Sequence, residues 1–351
     1  MGKIQKEAWH DYLYWVRARL RLPVQNNVAL ERIEAAGDLL AAQVIDQGTT
    51  RTIFTRKIVL AMGIEASGRW WMPEHIAALP EKYRAHSSDA IDFSKLKGKR
   101  VAVLGAGASA FDDAATALEA GAAQVALFCR RTHLQRVQPY RAISYPGFLR
   151  YFGDLDDALR WCFMDHVLTV REALPPETWR RVTKHHNFSL HTGSPWERAA
   201  IADDSVRITT PLGEHQFDFL ICGTGFELNI NDRRELSGFT DHIATWGDRF
   251  CPPANAQNPR LANFPFLGSG QELLEKTPAC APHLRHIRVY DFGATMSFGP
   301  SGASINAMKY AAPRIAGAIC RDLFRADIEH HWQTLAAYDT PEFPLTFARD
   351  E

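Results

Sequence analysis

The distribution of apolar residues predicts a helix followed by a small β-sheet in the first part of the chain. Glu7 to Leu22 has apolar residues at helical spacing and stops at Pro23, as an amphipathic helix does. Apolar and polar residues then alternate, with turns at Gly37 and Gly48, which predicts an antiparallel meander. The predicted strands are Val28–Ile33, Leu39–Ile45, Arg51–Phe54 and, after the meander, Lys57–Ala61.

Near Leu96 the pattern changes to one typical of a parallel α/β fold. Lys99 to Ala114 reads KRVAVLGAGASAFDDA, in which a β-branched apolar run precedes two glycines and a helix-forming stretch. A second apolar run, Gln124 to Cys129, follows at the distance expected for the next strand. This succession of strand, glycine turn, helix and strand predicts a Rossmann-like unit.

The next part of the chain predicts a helical insertion and then a return to strands. Residues 138–196 form the insertion, with helices predicted at Asp154–Leu174 and Pro176–His186. Further strands are predicted at Val206–Thr209 and Phe217–Cys222. A glycine-rich loop then leads into a long helix from about Ser304, with a kink expected at Pro313.

The glycine turn has the residues that a dinucleotide diphosphate site requires. Gly105 permits the sharp turn, Gly107 lets the backbone approach the phosphates without a Cβ atom, and Ala110 allows close packing of helix and strand. Backbone N–H groups at the start of the helix, around Ala108 and Ser109, favour an anion. A glycine turn that binds no ligand is the alternative that the sequence leaves open.

Two arginines at the end of the second strand indicate which nucleotide binds. An NAD site usually has a carboxylate here for the ribose hydroxyls, whereas this chain has Arg130 and Arg131. A guanidinium group binds the 2′-phosphate of NADP(H) through paired, charge-assisted hydrogen bonds. The alternative is that both arginines are solvated surface charges.

Composition excludes several classes of function. The chain has 351 residues, 46% of them hydrophobic, which is enough for a sizeable core in about two domains. The formal net charge is zero, which argues against a nucleic-acid footprint or a polybasic membrane patch. No apolar run approaches the ~20 residues of a membrane span, and the first residues do not resemble a secretory signal. We therefore expect a cytoplasmic protein that binds neither nucleic acid nor membrane.

The six cysteines do not indicate a redox or metal site. They form no Cys-x-x-Cys pair and have no zinc-ligand spacing, so no metal is predicted. We expect most of them to be buried as small apolar side chains.

Three features together resemble the superfamily of flavin-containing monooxygenases and Baeyer–Villiger monooxygenases. One is the central LKGKRVAVLGAGASAFD, which resembles the NADPH turn of that superfamily. Another is a pair of strand-end motifs, IVLAMG at Ile58–Gly63 and DFLICGTGF at Asp218–Phe226, similar to the elements where the chain crosses between flavin and NADPH domains. The last is GPSGASI at Gly299–Ile305, similar to the closing flavin-side segment.

The resemblance implies an α/β fold, that of a Rossmann-like flavoprotein with two dinucleotide-binding domains. Residues 1–66 would be the remainder of the FAD-binding domain, 67–215 the NADPH-binding domain with its insertion, and 216–351 the return to the FAD-binding domain. The superfamily has a second strand–GxGxxG–helix, for FAD, which is not found in this sequence. We therefore expect the first FAD-binding βαβ half to be missing, either because the gene start is misplaced or because the protein is reduced.

The resemblance also implies cofactor contacts outside the central turn. These would come from Gly63, Thr224 and Gly225 at the strand ends, and from Ser301, Gly302 and Ser304 before the last helix. The last helix would direct its positive end toward the flavin ring. Ordinary helix capping by Ser301 or Ser304 is the alternative.

The implied function is an NADPH-dependent flavoprotein monooxygenase that inserts one oxygen atom of O2 into a small organic substrate. NADP(H) and FAD are the implied cofactors, although FAD binding stays open without its glycine turn. Of the Baeyer–Villiger fingerprint only His86 matches, so ester formation is not specifically indicated. The alternatives are a truncated, non-catalytic NADP(H)-binding remnant and a flavin-dependent reductase without oxygen transfer.

The sequence assigns no catalytic residue and no oligomeric state. His86, Arg141, His185 and His186 are polar candidates in the linker or insertion, where such residues are more often structural. Without the missing half, the meander and last helix would expose apolar surface. We expect poor solubility or association with another chain, which leaves a homo-oligomer open.

Overall fold

The computed structural model describes residues 4–302 and 304–343, except the side chains of Lys6 and Ser301. The α-helices are α1 Lys6–Leu20, α2 Glu74–Ala77, α3 Ala108–Glu119, α4 Tyr140–Ile143, α5 Pro146–Tyr151, α6 Asp157–Val170, α7 Pro176–Thr183, α8 Trp246–Arg249, α9 Pro259–Ala262, α10 Thr295–Phe298, α11 Met308–Ala326 and α12 Ile328–Ala336. The strands are β1 Val28–Ala36, β2 Leu39–Asp46, β3 Thr49–Thr55, β4 Ile58–Leu60, β5 Gly68–Trp70, β6 Arg84–His86, β7 Arg100–Leu104, β8 Gln124–Phe128, β9 Phe188–His191, β10 Arg198–Ala202, β11 Ser205–Thr210, β12 Gly213–Phe217, β13 Phe219–Cys222, β14 Phe226–Leu228 and β15 Ile287–Val289.

A five-stranded parallel sheet, in the order β6-β13-β7-β8-β9, forms the predicted Rossmann-like unit. Along β7, Val101 and Val103 pack toward α3, while Ala102 and Leu104 pack toward β11 on the other face. Both faces are therefore covered, which explains the continuous apolar run. Because β13 lies between β6 and β7 in this sheet, the sheet extends past the domain boundary predicted at residue 215. The carboxyl ends of the strands meet at one edge, where the glycine turn begins.

The first meander is confirmed. Strands β1, β2 and β3 pair antiparallel, and Gly37 and Gly48 at their turns have φ values of +61° and +87°. Ile33 and Leu40 bury one face of this sheet against a core that includes Leu60 of β4 and Val289 of β15. Strands β4 and β15 pair in parallel and form a small two-stranded sheet. The meander packs on this sheet.

A second antiparallel meander, β10–β12, covers the other face of the large sheet. The sequence indicates its middle strand only. Strand β10 is rich in alanine, which has a low preference for strands. The turn into β11 uses Asp203 and Asp204, both with positive φ, rather than a glycine.

The predicted insertion contains α4 to α7, and its two main helices are shorter than predicted. Its predicted end at residue 196 is wrong, because β9 lies within that range and pairs with β8 in the large sheet. Asp156 caps α6 by accepting a hydrogen bond from the Leu159 amide at 2.8 Å. Trp161 and Met164 of α6 are buried with Trp246 and Met296. The insertion therefore packs on the segment that follows the large sheet.

Two expectations for the last part of the chain are corrected. Helix α11 begins at Met308 rather than about Ser304, because residues 305–307 form a tighter 3₁₀ turn first. Pro313 lies inside α11 as predicted. Only Cys129 and Cys222 are buried, whereas the other cysteines, Cys162, Cys251, Cys280 and Cys320, are exposed, so the expectation that most are buried is wrong. Each exposed cysteine lies in a surface helix or loop where no core packing reaches it.

Large apolar side chains are exposed on the meander and the last helices. The exposed fraction is 63% for Phe54, 54% for Phe324 and 62% for Trp332. Exposed apolar surface in these elements is therefore confirmed. None of the described helices combines the length and the apolar character that a membrane crossing requires.

Candidate functional site

The turn between β7 and α3 requires glycine at its first position. Gly105 has a φ of +134°, and a Cβ atom there would lie 2.2 Å from the Gly223 carbonyl oxygen. Its amide donates to the Phe128 carbonyl at 2.9 Å, which ties the turn to β8. The chain therefore reverses sharply at the carboxyl edge of the sheet, as the sequence predicts.

The start of α3 has unused backbone donors, and the space beside Gly107 is open. A Cβ atom added to Gly107 would meet no atom within 4 Å, so a ligand can approach the backbone there. Among the described residues, no acceptor takes the amide protons of Ala108, Ser109 and Ala110. Such donors, at the positive end of a helix, suit a diphosphate. This cradle fits the diphosphate of a dinucleotide.

The two arginines after β8 have different roles. Arg131 donates from Nη1 to the Val170 carbonyl at 2.8 Å and from Nη2 to the Thr169 carbonyl at 2.5 Å. It therefore holds the last turn of α6. Arg130 is exposed and has no hydrogen-bond or ion-pair partner among the described residues. Of the two, Arg130 is the one whose guanidinium group is available for a phosphate.

Arg130 and Arg131 line a cavity of about 250 Å³ beside the end of β8. Its other polar lining residues are Thr169, Arg171, Glu227, Asn258, Arg260 and Asn263. Its apolar lining residues are Leu168, Phe226, Leu228, Leu261, Phe264 and Phe292. We call it the arginine cavity. The sequence did not indicate Arg171 or Arg260, because they come from distant segments that carry no motif.

The two strand-end motifs end in the same backbone conformation. Gly63, after β4, and Gly225, after β13, have φ values of +74° and +86°, and a Cβ atom on either would meet open space. The Gly225 carbonyl accepts a hydrogen bond from the Trp71 amide at 2.9 Å, and the Thr224 hydroxyl donates to the Trp71 carbonyl. The Ser67 hydroxyl donates to the Gly63 carbonyl at 2.9 Å. Both turns therefore expose backbone at the carboxyl end of a strand.

The segment before α11 has structural contacts of its own. A Cβ atom on Gly302 would lie 2.6 Å from the Ala294 carbonyl carbon, so glycine is required there for packing. The Tyr290 hydroxyl donates to the Ser304 carbonyl at 3.2 Å, and no side-chain cap is formed at Ser304. The side chain of Ser301 lies outside those the structure describes. Flavin contact by this segment stays a prediction.

Comparison with known proteins identifies the family. Residues 2–164 match the L-lysine 6-monooxygenase/L-ornithine 5-monooxygenase family. A relative from Xanthomonas campestris pv. campestris, an FAD-dependent urate hydroxylase, is 39% identical over 345 residues, which are 98% of this chain and 72% of the relative. The chain belongs to the flavin-dependent monooxygenases. The resemblance found in the sequence is thereby confirmed.

Solved structures of flavin-dependent monooxygenases share the fold. The ornithine N-hydroxylase KtzI of Kutzneria sp. 744 has a TM-score of 0.68 at 19% identity, covering 91% of this chain and 77% of that one. The L-lysine 6-monooxygenase of Pseudomonas syringae has a TM-score of 0.67 at 21% identity, covering 91% and 76%. These similarities confirm the Rossmann-like α/β fold that the sequence predicts.

The four polar candidates from the sequence do not come together in this monooxygenase. His86 is buried with its ring 5.4 Å from that of Trp70, and burial lowers its pKa. Arg141 and His186 are exposed, and His185 follows α7. None of the four lines the arginine cavity. No described group of three or more His, Cys, Asp or Glu side chains could hold a metal ion.

Proposed function

We propose that the chain is an NADP(H)- and FAD-dependent monooxygenase that inserts one oxygen atom of O2 into a small organic substrate. The cradle at the start of α3, with its open face at Gly107 and unused amide donors, carries the proposal for NADP(H). The related urate hydroxylase supports the proposal for FAD. Gly63, Thr224, Gly225, Gly302 and Ser304 are the proposed flavin-side contacts.

This chain's own residues bind and orient the cofactors in the proposed mechanism. The amide groups of Ala108, Ser109 and Ala110 would hold the nucleotide diphosphate, and Arg130 would hold the 2′-phosphate. When bound, NADPH and FAD supply the hydride and the activation of O2. No described side chain is assigned a proton-transfer role.

Urate is the first substrate to test, because the 39% identical relative is a urate hydroxylase. The purified chain, supplied with FAD and NADPH, is expected to consume O2 when urate is added. NADPH oxidation without a hydroxylated product would indicate a reductase, and nucleotide binding without oxidation would indicate a binding remnant. A cytoplasmic location and association into a homo-oligomer belong to this proposal as well.

The nucleotide preference has a separate test. Arg130→Ala is expected to weaken binding of NADPH far more than binding of NADH, because only a 2′-phosphate contact is lost. Equal weakening of both nucleotides would contradict the assignment of Arg130. Dissociation constants from fluorescence titration provide the comparison.

A further inference from the structure

Four arginines from three parts of the chain meet at the arginine cavity. Arg130 and Arg131 follow β8, Arg171 directly follows α6, and Arg260 lies in α9. The lining contains one carboxylate, that of Glu227, which forms an ion pair with Arg69 at 3.1 Å. The cavity therefore has a large excess of positive charge.

Arg171 is held at this position at an energetic cost. Its φ is +68°, a conformation that residues other than glycine rarely adopt. Arg171 keeps contact with solvent. Partial burial of its guanidinium group and the positive charges of Arg260, Arg131 and Arg130 nevertheless lower its pKa. The Arg171 guanidinium group has no hydrogen-bond or salt-bridge partner among the described residues. A bound anion would relieve the repulsion between these groups.

Arg131 explains why Arg171 lies here. Its hydrogen bonds to the carbonyls of Thr169 and Val170 fix the end of α6 beside the end of β8. The next residue, Arg171, thereby reaches the cavity. The helical insertion thus contributes an arginine to the edge of the Rossmann-like sheet.

The position of the cavity identifies the anion. In a Rossmann-like unit, the end of the second strand lies near the adenosine ribose, and Arg130 occupies that place here. The phenylalanines and leucines of the cavity suit an adenine ring. We infer that Arg171 and Arg260, together with Arg130, bind the 2′-phosphate of the 2′-phosphoadenosine end of NADP(H). This inference rests on the proposed NADP(H) function and adds two residues that determine nucleotide specificity.

The test uses adenosine nucleotides that lack nicotinamide, so it does not depend on flavin or on turnover. Calorimetry would measure binding of 2′,5′-ADP and of 5′-AMP to the full chain and to its Arg171→Met and Arg260→Met variants. Each variant is expected to bind 2′,5′-ADP about tenfold to a hundredfold more weakly, the effect of losing a hydrogen bond to a charged group. Binding of 5′-AMP should stay unchanged. Arg180→Met, at an exposed arginine of the same insertion outside the cavity, is the matched control.

The outcomes separate the inference from the proposed function. The inference alone would be overturned if the wild-type protein prefers 2′,5′-ADP and the Arg171 and Arg260 variants bind it with the same affinity. Wild-type protein without any preference for 2′,5′-ADP would overturn both. If a variant fails to fold, the wild type still provides a test: its affinity for 2′,5′-ADP should fall more steeply with added salt than its affinity for 5′-AMP. Equal salt dependence would contradict the arginine site.

Discussion

Gly223 and Ala110 are packed so closely that a Cβ atom on Gly223 would lie 2.4 Å from the Cβ atom of Ala110. Gly223 follows β13, and Ala110 lies in the first turn of α3. The carbonyl group of Gly223 also leaves no room for a Cβ atom at Gly105. Three small residues from two parts of the chain therefore set the distance between the nucleotide helix and the central strands.

Gly223→Ala is expected to destabilise the protein and to displace α3. The added Cβ atom would also lie 2.8 Å from the Ala110 Cα atom, so backbone must move. We expect a loss of about 1–3 kcal/mol in the free energy of unfolding, typical of overpacking. Gly317→Ala in α11, where a Cβ atom meets open space, is the control and should not destabilise. Urea unfolding measures both, and equal stability of the two variants would refute the packing argument.

Gly107→Ala separates nucleotide binding from stability. A Cβ atom at Gly107 touches nothing in the protein, so we expect the free energy of unfolding to fall by less than about 1 kcal/mol. The methyl group would occupy the space proposed for the diphosphate. NADPH affinity should fall about tenfold or more, which corresponds to about 1.4 kcal/mol of binding free energy. Unchanged affinity would show that the diphosphate lies elsewhere.

Asp113 in α3 makes stability depend on pH. Burial raises the pKa of its carboxyl group to about 6, although the Ser87 hydroxyl donates a hydrogen bond to it. Since this value exceeds that of the unfolded chain, the folded protein binds more protons, and stability from this group is lost as pH rises through about 6. Asp113→Asn should therefore raise the Tm relative to wild type more at about pH 8 than at about pH 4. A difference independent of pH would argue against a raised pKa.

Arg233 links two buried carboxylates between the segment after β14 and the end of β15. Its Nε lies 2.7 Å from Glu235 and its Nη1 lies 2.9 Å from Asp291, with all three side chains at most 8% exposed. Arg233→Met would leave both carboxylates without their cation, and we expect a loss of about 3–5 kcal/mol in the free energy of unfolding. Arg69 forms ion pairs with Glu227 and Asp232, and 61% of its side chain is exposed. Arg69→Met should therefore cost only about 0–1 kcal/mol. Similar losses for both variants would contradict a structural role for the buried group.

Local turns of the fold could be predicted from the sequence, whereas contacts that depend on tertiary packing could not. The turn at Gly105 and the meander turns at Gly37 and Gly48 follow from local sterics, and the structure places them as predicted. Contacts of Arg131 with the end of α6 depend on how the insertion packs, which no motif records. The approach of Arg171 and Arg260 to Arg130 depends on the same packing.

The origin of the inserted oxygen atom tests the proposed monooxygenase most directly. The purified chain would be supplied with FAD, NADPH and urate under an atmosphere of isotopically labelled O2, and the product analysed by mass spectrometry. Incorporation of one labelled atom per product molecule, dependent on NADPH, is the result that the account predicts. NADPH oxidation that leaves urate unlabelled, with all the labelled oxygen recovered as hydrogen peroxide or water, would contradict it.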